Sequence, residues 1–179
     1  MTTDTTTPRI VITGFMAAGK TALARALAAE LQCAWLDLDE FIAARERRSV
    51  PVIIDADGET RFREVETAAL RAALATDARV FALGGGTWTI ARNRALIAEH
   101  DCVTVWLDAP FELCWQRITT SNNARPLARD AAAARTRYDE RRACYQLAAH
   151  QVIVSATQTA DEIAQALVNK LAHLPSDTQ

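Results

Sequence analysis

"RIVITGFMAAGKT", residues 9–21, joins a short apolar run to a glycine-bounded loop that ends in Lys20 and Thr21. Ile10, Val11 and Ile12 favour extended backbone, so a strand is expected over 9–13. Gly14 lets the chain leave that strand sharply, and Gly19 lets it pass close to a bound group. The stretch satisfies G-x-x-x-x-G-K-[ST], placed between a strand and the helix expected over 19–31. In that setting successive N–H groups point inward, and the helix N-terminus adds partial positive charge. The expected ligand is a nucleoside triphosphate, cradled by Gly14, Ala17, Ala18, Gly19, Lys20, Thr21 and Ala22. Lys20 would reach the β- and γ-phosphates, and the Thr21 hydroxyl would be a magnesium ligand.

Working outward, apolar runs alternate with amphipathic stretches. Strands are expected at 34–38, 79–83, 102–107 and 151–155, and helices at 40–48, 59–75, 110–118, 129–148 and 159–172. Leu23, Leu27 and Leu31 recur every four residues and predict one buried helical stripe. Strands separated by helices point to an α/β fold with a parallel sheet covered on both faces, and the apolar strands fit burial on both sides. Residues 1–8 and 175–179 read as disordered tails.

The 179 residues suit one domain, and 50% hydrophobic content suffices for a core. A net charge of −2 exerts no general pull on nucleic acid or an acidic membrane. An anion must therefore be held by a local basic cluster. Lys20 and Lys170 are the only lysines, so arginine supplies nearly all the basic groups. Cys33, Cys102, Cys114 and Cys144 form no C-x-x-C pair and do not cluster with histidine, which argues against zinc and disulfides. Cys33 and Cys102 adjoin apolar runs and read as buried thiols. No signal peptide or membrane-spanning run is evident, and a cytoplasmic location is expected.

Such loops serve GTPases, motor ATPases and small-molecule kinases alike. Neither an N-K-x-D guanine motif nor an ABC-type signature occurs, which weakens two of those classes. "WLDLDEF" places Asp37 and Asp39 two residues apart at a strand end, where an extended chain would aim both at the ligand crevice. One would hold the magnesium shell and the other polarise a substrate hydroxyl; a helix cap at Asp39 is the plainer alternative. "DGETRFREVE" sets Arg61 and Arg63 with Glu64 and Glu66, a binding cluster or a solvated charged face. "ALGGGTW" puts Gly84, Gly85 and Gly86 directly after a strand, useful where backbone must approach a ligand and otherwise a loose turn. "TTSNNARPLA" (119–128) is by default a surface loop.

The order "GFMAAGKT", "DLDEFI", "GETRFREVE", "GGG", "VWLDAP", "RPL" and "RRACY" resembles shikimate kinase, over roughly residues 9 to 172. The resemblance implies a nucleoside-monophosphate-kinase-type fold in three α/β/α layers, with five parallel strands in the order 2-3-1-4-5. It implies a single domain over 9–174, with a mobile lid at about 117–130 and a substrate-binding region at about 37–66. The implied reaction moves the γ-phosphoryl of MgATP to the 3-hydroxyl of shikimate, in aromatic amino acid biosynthesis. Asp37 then corresponds to the carboxylate near magnesium, and Asp39 to the one that grips the substrate hydroxyls and takes a proton. Arg63 and Arg141 correspond to the pair on the substrate carboxylate, with Gly84, Gly85 and Gly86 lining that pocket. Arg125 corresponds to the lid arginine on the ATP phosphates, and Arg117 to a residue flanking adenine. Small-molecule partners and a monomeric state are expected.

Five places depart from that pattern, among them Thr21, which replaces the commoner serine and keeps the hydroxyl. Relatives usually carry glycine where Ala17 stands, and a negative φ is expected for it here. "VPVIID" (50–55) lacks the phenylalanine usual after isoleucine, Trp88 is bulkier than the usual residue, and Ser155 stands where an aspartate often begins the adenine loop. Two rivals remain open: another small-molecule kinase of this fold, for gluconate or a nucleotide, and a nucleotide-binding module without catalysis.

Overall fold

The computed structural model describes residues 8–120 and 130–172. Their elements are β1 (Ile10–Thr13), α1 (Lys20–Glu30), β2 (Trp35–Asp37), α2 (Leu38–Glu46), α3 (Val50–Leu74), β3 (Val80–Ala82), α4 (Ala91–Ala98), β4 (Val103–Asp108), α5 (Phe111–Thr120), α6 (Ala131–Tyr145), β5 (His150–Ile153) and α7 (Ala160–Ala172). A one-turn 3-10 helix, Thr87–Thr89, precedes α4. The five strands form one sheet in the order β2-β3-β1-β4-β5. Every pair is parallel, with Ile12 opposite both Ala82 and Val105. The expected sheet order is the observed one. Its C-terminal edge therefore brings the chain after β1, β2, β3 and β4 to one side, where ligands of open α/β sheets bind.

Burial explains the order. All residues of β1 and β3 are buried, as two-sided coverage requires. The edge strands differ: β2 is only half-buried, and β5 alternates, leaving Ile153 72% exposed. The expectation of two-sided burial thus holds at the centre and fails at the edges. Leu23 and Leu27 of α1 are buried, each contributing roughly 1.5–3 kcal/mol. Leu31 terminates that helix and is only half-buried. α1 packs against α7, which buries Ile163, Ala164 and Leu167.

Two helical stretches differ from expectation. α3 starts at Val50 rather than 59, with Pro51 in its first turn, where a missing N–H costs nothing. It is interrupted at Gly58 (φ 82°, ψ 161°), so "DG" does punctuate the chain, but inside a helical run. α4 and the 3-10 turn were not expected; Asn93, fully buried, ties them together by donating to Thr87 O and pairing with Thr67. Cys33 and Cys102 are half-buried, whereas Cys114 on α5 is the enclosed thiol. Among the described residues no helix is long and apolar enough to cross a membrane.

Candidate active site

The loop after β1 opens on Gly14 at φ 143°, where a Cβ would stand 2.6 Å from Leu107 O. Gly19, at φ 109°, is the N-cap of α1. That helix begins with no side-chain cap and no acidic residue in its first turn, so its leading N–H groups suit an anion. Ala17 departs from expectation. Its φ is 59°, a left-handed conformation that disfavours a Cβ. Arg117, at the end of α5, donates from Nη1 to Ala17 O (3.2 Å) and Ala18 O (3.0 Å), which helps to hold that strained turn. Lys20 Nζ donates to Phe15 O at 2.8 Å, curling over the same loop.

A cavity of about 540 Å³, within the usual range for small-molecule sites, follows. Ala17, Ala18, Gly19, Lys20, Thr21, Ala22 and Arg117 line it on one side, and Asp37, Asp39, Gly84 and Gly85 on the other. The two carboxylates do meet there, though not for the reason expected. Asp37 ends β2, but Asp39 already lies in the first turn of α2. Asp37, not Asp39, caps that helix: its Oδ1 accepts from Asp39 N at 2.9 Å and Glu40 N at 3.3 Å. Its other oxygen accepts from Thr21 Oγ1 at 2.6 Å. Thr21 and Asp37 therefore present adjacent hard oxygens. Among the described residues no group of three or more His, Cys, Asp or Glu forms a metal cage. That donor set fits Mg²⁺, which keeps waters and phosphate oxygens in its shell, better than a transition metal.

Beyond Gly84 the glycines meet a charged cluster. A Cβ on Gly84 would lie 2.8 Å from Asp39 Oδ1 and 3.1 Å from Glu66 Oε1. One on Gly86 would lie 2.6 Å from both terminal nitrogens of Arg63, and one on Gly85 would lie 3.6 Å from Arg141 Nη1. Both arginines thus abut consecutive glycines. Arg63 is gripped by Glu66 (2.8 Å) and Glu59 (2.8 Å). Glu66 is 1% exposed and also accepts from Thr87 Oγ1 at 2.6 Å, so it is a fixed anchor. Burial opposes the charge on Arg63, but these carboxylates more than offset it and raise its pKa. Arg141 is shifted the other way. Burial, reinforced by repulsion from Arg63 and Arg137 and opposed by Tyr145, holds it below the ordinary arginine value. Two guanidiniums set along one glycine run, one of them disfavoured by burial, have the chemistry to take a carboxylate.

Other expected contacts sort differently. Arg125 and residues 121–129 of the expected lid lie outside the described residues, as do 1–7 and 173–179. Gly14, Gly86, Arg63 and Arg141 do not line this cavity; Arg141 abuts it at Gly85, and Arg63 lies one step beyond, at Gly86. Trp88 is buried and donates from Nε1 to Cys144 O at 2.8 Å, so it packs on α6 instead of narrowing the pocket. In "SATQT" the cavity-lining residue is Gln158, whose side chain also accepts from Ser155 N at 3.1 Å. The resemblance marked this stretch as the adenine loop, but nothing in the residues singled out Gln158 within it. Ile54, at the place of the usual phenylalanine, packs half-buried against the core.

Comparison with known proteins agrees with this geometry. The shikimate kinase family model matches residues 16–172. The shikimate kinase of Salinibacter ruber is 42% identical over 134 residues, which cover 75% of this chain and 65% of that one. The shikimate kinase of Streptomyces avermitilis is 36% identical over 170 residues, covering 93% and 96%. Among solved structures, the shikimate kinase from Acinetobacter baumannii in complex with shikimate superposes with a TM-score of 0.86 at 32% identity, covering 93% of this chain and 94% of that one. With a matching family model over most of its length and the phosphate loop, paired aspartates and glycine-flanked arginines in place, the chain belongs to the shikimate kinase family.

Proposed function

We propose that the chain transfers the γ-phosphoryl group of ATP, bound with Mg²⁺, to the 3-hydroxyl of shikimate, giving shikimate 3-phosphate and ADP. One observation carries this reading: the phosphate loop and Asp39 line a single cavity, and the glycine run that leads out of it abuts Arg141 at Gly85 and Arg63 at Gly86. A triphosphate and a carboxylate-bearing alcohol would meet there with little left to chance in orientation. The resemblance to a structure solved with shikimate supports that acceptor.

In this reading the loop N–H groups and Lys20 hold the phosphates, and Lys20 turns from Phe15 O toward the γ-phosphoryl. Thr21 and Asp37 hold Mg²⁺, which when bound neutralises charge on the phosphate oxygens. Arg117 flanks the nucleotide beside the loop it braces, and Arg125 joins the phosphates from the lid segment, about 117–130. Arg63 and Arg141 grip the shikimate carboxylate in paired hydrogen bonds, and Gly84 to Gly86 allow the close approach. Asp39, facing Gly84, orients the 3-hydroxyl and receives its proton as the oxygen attacks phosphorus. The site's chief contribution is positioning and charge stabilisation, as phosphoryl transfer demands. The binding region spans about 37–66 within a single domain of 9–174, working as a cytoplasmic monomer.

A coupled ADP-release assay with MgATP tests the reading against shikimate, quinate, gluconate and nucleoside monophosphates. Shikimate is expected to be the preferred acceptor. Preference for gluconate or a nucleotide would reject the acceptor while leaving a kinase, and no acceptor-dependent release would reduce the chain to a nucleotide-binding module.

A further inference from the structure

Arg141 is half-buried, repelled by Arg63 and Arg137, attracted by Glu59 at longer range, and in salt-bridge contact with no carboxylate among the described residues. A guanidinium so placed gains by swinging toward solvent. One turn further along α6, Tyr145 supplies the restraint. Its ring is 1% exposed and packs at a tilt against Trp106, centroids 6.2 Å apart. Its hydroxyl donates to Gly85 O, and it favours the charge on the nearby Arg141 guanidinium. Gly85 itself faces Arg141 and lines the cavity.

We infer that Tyr145 is a positioning residue for the phosphoryl acceptor: by tying the Gly85 carbonyl to α6 it holds the glycine run against the Arg141 guanidinium, in the arrangement that receives the acceptor carboxylate. The inference rests on the assignment of Arg141 to that carboxylate. Tyr145 touches neither substrate in this account and acts through Arg141 and the Gly85 carbonyl. Arg141 is then already placed before the acceptor arrives, which spares the ordering of a long side chain on binding.

The test is a double-mutant cycle read by steady-state kinetics with shikimate as the varied acceptor. Tyr145→Phe keeps the ring against Trp106 and removes only the hydroxyl. It is expected to raise the acceptor KM about 3–10-fold, from the loss of the one hydrogen bond to Gly85 O, with kcat and the ATP KM nearly unchanged. Arg141→Ala is expected to raise the acceptor KM further, and adding Tyr145→Phe to it should change KM by less than about 2-fold, because coupled residues are not additive. A full independent effect of Tyr145→Phe in the Arg141→Ala background would overturn the relay and leave the carboxylate site standing. So would an unchanged KM in Tyr145→Phe alone. An unchanged KM in Arg141→Ala would overturn the carboxylate site, and the relay with it.

Discussion

Gly86→Ala isolates the acceptor half of the site with one methyl group. Gly86 has φ −105° and ψ −17°, a conformation alanine adopts freely, so the backbone need not strain. The new methyl would sit 2.6 Å from both terminal nitrogens of Arg63 and 2.8 Å from its Cζ. Ordinary van der Waals contact needs close to 1 Å more, so the guanidinium must shift by roughly that distance. It has little freedom to do so, with Glu66 on Nη1 and Glu59 on Nη2, both at 2.8 Å. Arg63 would therefore be tilted off the carboxylate it is proposed to hold. Losing one charge-assisted hydrogen bond costs about 1.5–3 kcal/mol. At 1.4 kcal/mol per tenfold, the acceptor KM should rise roughly 10–150-fold. The ATP KM should hold, because Gly86 does not line the cavity around the phosphate loop. Steady-state kinetics with each substrate varied in turn measures both. A folded Gly86→Ala protein with an unchanged KM for shikimate would refute the placement of the carboxylate on Arg63.

Ala17→Gly should stabilise the fold. A left-handed alanine costs about 1–2 kcal/mol, and the freer unfolded glycine returns about 0.4–1 kcal/mol. A net gain near 1 kcal/mol should raise Tm by about 2–4 °C in scanning calorimetry; a fall would mean that the φ of 59° carries no strain. Thr13→Val should also raise Tm. The Thr13 hydroxyl is buried without a partner, and removing such a group gains on the order of 1 kcal/mol; a marked loss would show that the hydroxyl is bonded after all. Burial pushes the Cys102 thiol up to about 11. Its thiolate fraction at pH 8 is then of order 0.1%, so alkylation of the native protein should be slow at this site and speed up sharply on unfolding. Rapid native labelling of Cys102, located by peptide mapping, would contradict that burial.

Much of the fold was legible because its signals are local. A strand, a tight loop with lysine and hydroxyl, and a helix stand consecutively in "RIVITGFMAAGKT", and alternating apolar runs set the parallel sheet. The proposed acceptor site was legible by resemblance only. Arg63 and Arg141 are 78 positions apart, and their approach depends on the tertiary packing of α3 and α6 about the glycine run. Asp37 and Asp39 were paired correctly on faulty geometry, since helix α2 starts between them, at Leu38. Ala17 misled because side-chain identity argues for negative φ, whereas the loop, braced by Arg117, imposes the opposite. α4 carries little amphipathic pattern and is held by the buried Asn93, a polar residue that periodicity discounts. Gln158 sits in a loop whose direction is set by β5, so no local pattern marked it.

The claim that the phosphate loop and the arginines along the glycine run divide the labour is met most directly by a paired comparison of Lys20→Ala and Arg63→Ala. Initial rates would be measured with shikimate and MgATP varied independently. Lys20→Ala is expected to lower kcat by about 10²–10³-fold, as loss of a transition-state charge contact does, with a small change in acceptor KM. Arg63→Ala is expected to raise the acceptor KM at least tenfold with a smaller change in kcat. The opposite division, with Lys20→Ala acting on acceptor binding and Arg63→Ala on the rate of transfer, would contradict the account.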